Sequence, residues 1–369
     1  MRIAHVISSP SGIGGAERVM LQLVRAGAER GWEQRVLHPF VEQGATEIAE
    51  LCAPGTYLSH PCSHWRDTPM VWAWMDRTLR RFRPDVVHVH LFHALVLVAS
   101  VRRPPGARLV LTHHHGSRYV DEDQRLRERL DRLCGRRYDA VVAVSEATRS
   151  LLAERYGYRE NTLRTIPNGW SGDPQPRNGP PGQRIICVAN FRAQKGHDVL
   201  LTAFAQVLRA LPEAELVLVG DGPLRRQLED QSRRLGVAER VRFQGSVSDI
   251  WTLLANADVF ALASRYEPLG IAVLEAMGAG LPIVATRVGG LADLIDPGVT
   301  GELVDTENPS GLAEHLIALL RSPEAIMRMG AAGRMRAAAH RADRMTELYL
   351  ELYAELTGTG EFDRRTQAR

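Results

Sequence analysis

The sequence predicts an α/β protein made of two doubly wound parallel-sheet domains. Two observations carry that expectation. Short apolar, β-branched runs alternate with longer amphipathic segments from end to end, as buried parallel strands under crossover helices require. The alternation is interrupted by the Pro- and Gly-dense stretch IPNGWSGDPQPRNGPPGQR at 166–184, which can continue neither element. A chain of 369 residues is also long for one core and suits two domains of ordinary size.

Taken in order, the first-half strands are expected at 2–7 (RIAHVI), 34–40 (QRVLHPF), 85–90 (DVVHVH), 108–113 (RLVLTH) and 139–145 (DAVVAVS). Between them, AERVMLQLVRAGAERG at 16–31 places apolar residues at i, i+3 and i+4, and Gly31 stops the helix. After the break the pattern restarts with strands at 184–189, 215–220, 240–243, 258–262 and 282–286. The chain beyond Pro323 reads as helical to about residue 356, and the polar remainder as a frayed end. The expected domains are 1–170 and 184–340, joined by a linker at 171–183.

Composition narrows the function. With 44% hydrophobic and 24% charged residues the chain is that of a soluble globular protein. A net charge of +3, divided as +6 over residues 1–183 and −3 over 184–369, argues against a nucleic-acid binder held by a broad basic field. Cys52, Cys62, Cys134 and Cys187 form no C-x-x-C pair, which speaks against a zinc site or disulfide framework and for a cytoplasmic location. The N-terminus lacks the apolar run of a signal peptide, and no stretch of roughly 18 apolar residues is long enough to span a membrane. The Arg-rich runs at 77–83 and 124–137 read as solvated helix faces, with peripheral contact at the inner membrane face as the rival reading.

In open parallel sheets ligands bind beyond the carboxyl ends of the strands, so the loops there are the candidate sites. After the first strand, SSPSGIGGAE brings Gly12, Gly14 and Gly15 into a helix start, although Glu17 stands where a dinucleotide fingerprint needs its third glycine. After the strand at 184–189 comes NFRAQKGHD, holding Asn190, Arg192 and Lys195, the single lysine among 46 basic residues. A compact ammonium and a guanidinium there suit a diphosphate leaving group. After the strand at 258–262 comes SRYEPLGIAVLEAMGAGLPIVAT. Glu267 precedes a helix and Glu275 lies eight residues on, about two turns later and hence on the same face, and the first helical turn, around Pro268, Leu269 and Gly270, offers free N–H groups to phosphate. THHHGS at 112–117 follows another strand. Its adjacent histidines alternate between faces, which argues against a metal, and no metal is expected at the site. His88 and His90 share one face of the preceding strand. Asp121, Glu122 and Asp123 match a metal-binding D-x-D but read better as acids opening a helix.

The run from Ser264 to Thr286, with its E-x7-E spacing, resembles the signature of the family-four retaining glycosyltransferases of the GT-B fold. GGAERVM at 14–20, VSEATR at 144–149, IPNG at 166–169, KGHDVLLTAF at 195–204, LVGDGP at 218–223 and VGGLADLIDPGVTGELV at 288–304 extend the resemblance over most of the chain. It implies two Rossmann-like domains facing a cleft, with the terminal helix, about 341–357, packing back on the first. It further implies transfer of a sugar from a nucleotide diphosphate donor, UDP favoured over GDP, to an acceptor hydroxyl on a lipid-linked, glycan or small-molecule acceptor, with anomeric configuration kept and no cofactor or essential metal. Lys195 and a nearby arginine would grip the diphosphate, Glu275 the ribose and Glu267 the transferred sugar, while Gly14 and Gly15 close over the donor. His114, or its rival His115, would meet the reacting sugar. Many members carry the arginine five residues before the lysine; here Asn190 stands there, and Arg192 takes the role. A sugar-nucleotide epimerase of the same fold, a nicotinamide-dependent dehydrogenase and a non-catalytic sugar-nucleotide-binding protein are the alternatives.

Overall fold

The computed structural model describes residues 1–8, 14–39, 45–60, 68–114, 124–175, 177, 179–180, 182–247 and 249–359. The chain divides into two compact units, Met1–Asn168 with Ala342–Arg369, and Gly169–Arg341.

Unit 1 is built on β1 (Arg2–Ile7), β2 (Glu33–His38), β3 (Tyr57–Ser59), β4 (Val86–His90), β5 (Arg108–His113), β6 (Ala140–Ala143) and β7 (Leu163–Thr165). They form one sheet in the order β3-β2-β1-β4-β5-β6-β7, and every pairing is parallel. Helices α1 (Gly15–Glu29), α2 (Ala45–Glu50), α3 (Thr68–Phe82), α4 (Phe92–Ser100), α5 (Gln124–Gly135) and α6 (Glu146–Glu154) are the crossovers. The expected stop of α1 is found: Gly31 takes φ 70°, and the Trp32 N–H reaches back to the Gly27 carbonyl at 3.0 Å, a glycine-dependent helix end. Strands buried on both faces explain the unbroken apolar runs. Val87 and Val89 pack with Val71, Met75 and Leu79 of α3 and Leu95 and Val98 of α4. His88 and His90 alternate to the other face.

Unit 2 contains β8 (Arg184–Val188), β9 (Glu215–Val219), β10 (Val241–Gly245), β11 (Val259–Leu262), β12 (Ile283–Thr286) and β13 (Gly301–Val304), in the order β10-β9-β8-β11-β12-β13. All neighbours are again parallel. Its helices are α7 (His197–Ala210), α8 (Arg225–Arg234), α9 (Trp251–Ala255), α10 (Ile271–Gly278), α11 (Leu291–Leu294), α12 (Pro309–Leu320) and α13 (Pro323–Ala338). The last helix, α14 (Ala342–Thr357), belongs to unit 1. The continuous helical reading past Pro323 therefore breaks at residues 339–341, where the chain changes unit.

Each of the ten expected strands falls on an observed one. The strands β3, β7 and β13 were not expected. They are three or four residues long and lie at or next to sheet edges, held by their neighbours' backbone rather than by apolar runs of their own. The Pro- and Gly-rich segment is not a free linker. Arg177 pairs with buried Asp258, whose carboxylate also accepts the N–H groups of Gly182 at 2.9 Å and Arg184 at 2.7 Å, so the segment is fastened to unit 2. Cys52, Cys134 and Cys187 are free thiols; Cys62 lies outside the described residues. Among the described residues, no helix is long and apolar enough to cross a membrane.

Candidate active site

In each sheet the strand order reverses once, between β1 and β4 and between β8 and β11. Such a reversal splays the two following loops apart and opens a crevice at the carboxyl ends. In unit 2 the loops leaving β8 and β11 are those that hold Lys195 and Glu267.

The first loop closes in one 3-10 turn, Ala193–Lys195, and ends at Gly196 with φ 62°. A Cβ there would lie 1.9 Å from the Ala263 carbonyl oxygen of the second loop. Only glycine permits so close a backbone approach. The loops are then stitched together. The Arg265 N–H donates to the Gln194 carbonyl at 2.8 Å, the Gln194 amide donates to the Tyr266 carbonyl at 3.0 Å, and the Arg265 guanidinium takes both carboxylate oxygens of Asp198 at 2.9 and 2.7 Å. Burial alone would raise the Asp198 carboxyl, but the Arg265 hydrogen bonds prevail and hold it lowered. The same bonds, Asp198's first, push the Arg265 guanidinium further up.

Within this frame Lys195 Nζ donates to Glu267 Oε2 at 2.5 Å, with the two side chains only 18% and 10% exposed. Ser264 Oγ lies 3.5 Å from the same oxygen. Glu267 is buried, and its backbone carbonyl accepts the Gly290 N–H at 3.0 Å. A Cβ at Gly289 would stand 2.0 Å from that carbonyl, and one at Gly290 2.4 Å from that of Pro268. These two glycines let the chain before α11 press against the turn, a role the sequence alone did not reveal. Arg265, Asp198 and Gln194 were missed as well, since nothing local marks partners 67 residues apart.

One geometric expectation is corrected. Glu267 precedes the helix as expected, but α10 begins only at Ile271 rather than at Pro268, and its N-cap Gly270 has φ 94°, a conformation outside the right-handed helix, so the eight-residue spacing does not set one helical face. Pro268, Leu269 and Gly270 thus form an irregular turn rather than a first helical turn. Glu275 sits on α10 and is buried, as is Leu269. Arg192 and Asn190 are exposed at the start of the first loop, linked by the Arg192 N–H to the Asn190 carbonyl at 2.8 Å.

In unit 1, Gly14 is the N-cap of α1 and Gly15 its first residue. Glu17, the residue that breaks the dinucleotide fingerprint, carries a capping box: its Oε2 accepts the Gly14 N–H at 2.9 Å. His114 follows β5 and is buried, and its Nε2 lies 3.0 Å from His90 Nδ1. His113 turns to the opposite face, where its Nε2 meets the fully buried Asp131 at 3.1 Å. His115 and residues 121–123 lie outside the described residues.

Around His90 gathers a set of imidazoles. His5 on β1 pairs across the ladder with His88, and the His88 and His90 ring centroids are 4.1 Å apart. Burial drives the His5 pKa down to about 4 and those of His88 and His90 well below the usual value, so all three are neutral at pH 7. Their nitrogens lie close enough together to suit a metal. Both nitrogens of His88 are engaged, at 2.6 Å with the Tyr353 hydroxyl and 2.7 Å with Thr112.

Residues 174–336 match the family described as Glycosyl transferases group 1, and residues 13–171 match Glycosyltransferase Family 4. The GDP-mannose-dependent alpha-(1-6)-phosphatidylinositol monomannoside mannosyltransferase of Mycolicibacterium smegmatis is 31% identical over 79% of this chain and 82% of its own. The lipopolysaccharide core biosynthesis glycosyltransferase LpsD of Rhizobium meliloti is 30% identical over 96% and 98%. Among solved structures, HepE of Anabaena in complex with UDP superposes with a TM-score of 0.82 at 22% identity, over 96% of this chain and 100% of that one. The chain therefore belongs to the group 1 glycosyltransferases, and its two parallel-sheet units are those of the GT-B fold.

Proposed function

We propose that this glycosyltransferase moves a sugar from a nucleotide diphosphate donor to an acceptor hydroxyl with retention of anomeric configuration. The observation that carries the reading is the Lys195–Glu267 pair at the switch point of unit 2. In the empty site the two charges neutralise each other. A donor satisfies both at once, its diphosphate taking the ammonium and a sugar hydroxyl donating to the carboxylate. A bare nucleotide takes only the lysine and leaves Glu267 buried without its cation, so the intact donor gains more from the exchange. Arg192, exposed at the mouth of the loop, and the N–H groups of Leu269 and Gly270 add to the stabilisation of charge on the departing diphosphate. Glu275 holds the ribose in this reading. The leaving phosphate takes the acceptor's proton, and no divalent ion is required.

Transfer is favoured over epimerisation by the lipid and lipopolysaccharide transferases that are 31% and 30% identical to this chain over the aligned residues. The base is the open choice between UDP, the family's commonest, and GDP, which the name of the M. smegmatis relative supports. That name also supports a lipid-linked acceptor. Exposed Met70 and Trp72 on α3 and Leu126 and Leu133 on α5, set among arginines, support peripheral contact with an anionic membrane.

Calorimetry with UDP, GDP and ADP, with and without chelator, on the natural protein and on Lys195→Ala, tests the reading. One nucleotide is expected to bind whether or not chelator is present, and to be lost in the variant. Absence of binding by every nucleotide, or unchanged binding in the variant, would remove the proposal.

A further inference from the structure

We propose that Arg265 is a positioning residue: clamped by Asp198 and Glu307, it ties three loops of unit 2 together and holds Lys195 within reach of Glu267. The inference rests on the reading of that pair as the donor's contacts, and adds to it the residue that sets the pair's spacing.

The guanidinium of Arg265 is used up inside the protein. Its Nη1 donates to the Ala193 carbonyl at 2.5 Å and to Asp198 Oδ1 at 2.9 Å. Its Nη2 donates to Asp198 Oδ2 at 2.7 Å and to Glu307 Oε2 at 3.2 Å, and Nε lies 2.7 Å from Glu307 Oε1. All four terminal N–H groups thus have an acceptor. With those donors spent and two carboxylates set against one cation, Arg265 offers nothing to a phosphate and acts on the donor only through its neighbours. A lysine in its place would keep the charge and lose the planar fork that spans these acceptors.

Its neighbours are the pair itself. The Ala193 carbonyl belongs to the 3-10 turn that ends at Lys195, Asp198 lies in the first turn of α7 directly after it, and Glu267 stands two residues beyond Arg265 on the second loop. Glu307 comes from a third loop, between β13 and α12, and holds φ 57°. A glutamate adopts that left-handed conformation at a cost, whereas glycine would take it freely. What glycine would forfeit is the carboxylate on Arg265, and strain kept at such a point marks a function. The side chains of Arg265, Asp198 and Glu307 are 33%, 45% and 57% exposed, and ion pairs in that setting add little stability. The clamp therefore acts on the position of Lys195 more than on the folding free energy.

Lys195 is the single lysine of the chain, so protein labelled on lysine nitrogen shows one side-chain ammonium, a direct view of the pair. Exchange of that ammonium with water should be slow in the natural protein and fast in Glu267→Gln, which removes the charge of its partner. In Arg265→Met exchange is expected to quicken about 3- to 10-fold. Affinity for UDP or GDP, whichever the natural protein binds, should fall by a similar factor, with circular dichroism unchanged. Unchanged lysine exchange in a folded Arg265→Met overturns the proposal, and so does exchange in the natural protein as fast as in Glu267→Gln. Faster exchange with unchanged nucleotide affinity upholds the clamp and removes instead the reading of Lys195 as the diphosphate's contact. Should Arg265→Met not fold, Glu307→Gly decides, since it deletes one carboxylate while relieving the backbone. Faster lysine exchange at a urea midpoint above that of Glu307→Ala upholds the clamp, and exchange as slow as in the natural protein overturns it.

Discussion

The two sheets reverse their strand order at the same topological point and furnish it with opposite materials. At the β8–β11 reversal unit 2 sets charges against one another: Lys195 with Glu267, and Arg265 with Asp198. At the β1–β4 reversal unit 1 sets neutral rings: His5, His88 and His90, buried and driven far from protonation. A charged pair at a partly open sheet end can trade partners with an ionic ligand. Buried neutral imidazoles cannot become ions cheaply, but they hold geometry through their hydrogen bonds. Shared topology therefore says where a site forms, and the desolvation of its residues decides what it can do there.

The contrast breaks most visibly at the charged end. Lys195→Ala and Glu267→Ala should each lower turnover by about 100-fold or more, with folding intact by circular dichroism; near-normal turnover in either would strip that residue of its role. Next comes the backbone contact that supports the pair. Gly196→Ala puts a Cβ against the Ala263 carbonyl at φ 62° and should cost about 2–5 kcal/mol in urea unfolding, whereas an unchanged midpoint would show the loops are not so closely joined.

Acid acts on the buried neutral rings. Unfolded histidine takes a proton below about pH 6.5, but native His5 stays neutral to about 4. The unfolded state thus binds more protons between these values, and stability present above pH 6.5 is lost as pH falls toward 4. His5 alone should cost about 2 kcal/mol by pH 5. His197 in unit 2, also held by burial to about 4, adds a similar slope. Urea titrations at pH 7, 6 and 5 should show that loss, and His5→Leu should flatten part of it; a pH-independent midpoint would contradict the neutral-core reading. The smallest effect is expected from Tyr353→Phe, which deletes the hydroxyl on His88 and should cost about 1–2 kcal/mol of stability. No change in melting temperature would mean that this bond is absent in solution.

Most of this fold could be read from the sequence because parallel strands buried on both faces must be apolar runs, and β1, β5 and β8 are just that. The edge strand Tyr57–Ser59 could not, since its pairing is supplied by β2. Lys195 and Glu267 were legible as residues that follow strands, but their contact was not, because 72 residues separate them. The E-x7-E spacing suggested one helical face, and the αL Gly270 shows why spacing alone misled. His88 and His90 were legible as one face of a strand. Their link through Thr112 and Tyr353 to α14 needs a helix 265 residues away from His88.

Unit 2 leaves and rejoins the chain at one place. Trp170 and Arg341 form a β-bridge, the Trp170 N–H donates to the His340 carbonyl at 3.0 Å, and the Arg341 guanidinium lies 4.6 Å over the Trp170 ring. On the ribosome this imposes an order. The seven strands of unit 1 emerge first, yet the helix that seals their histidine face is translated only after the whole of Gly169–Arg341, a wait of about 10–35 s at ordinary elongation rates. Unit 2, contiguous in sequence, is thereby expected to complete its fold first. A released chain truncated after Arg341 should protect unit 2 from protease while unit 1 is still cut, and equal protection of both would show that the early strands do not wait for their last helix.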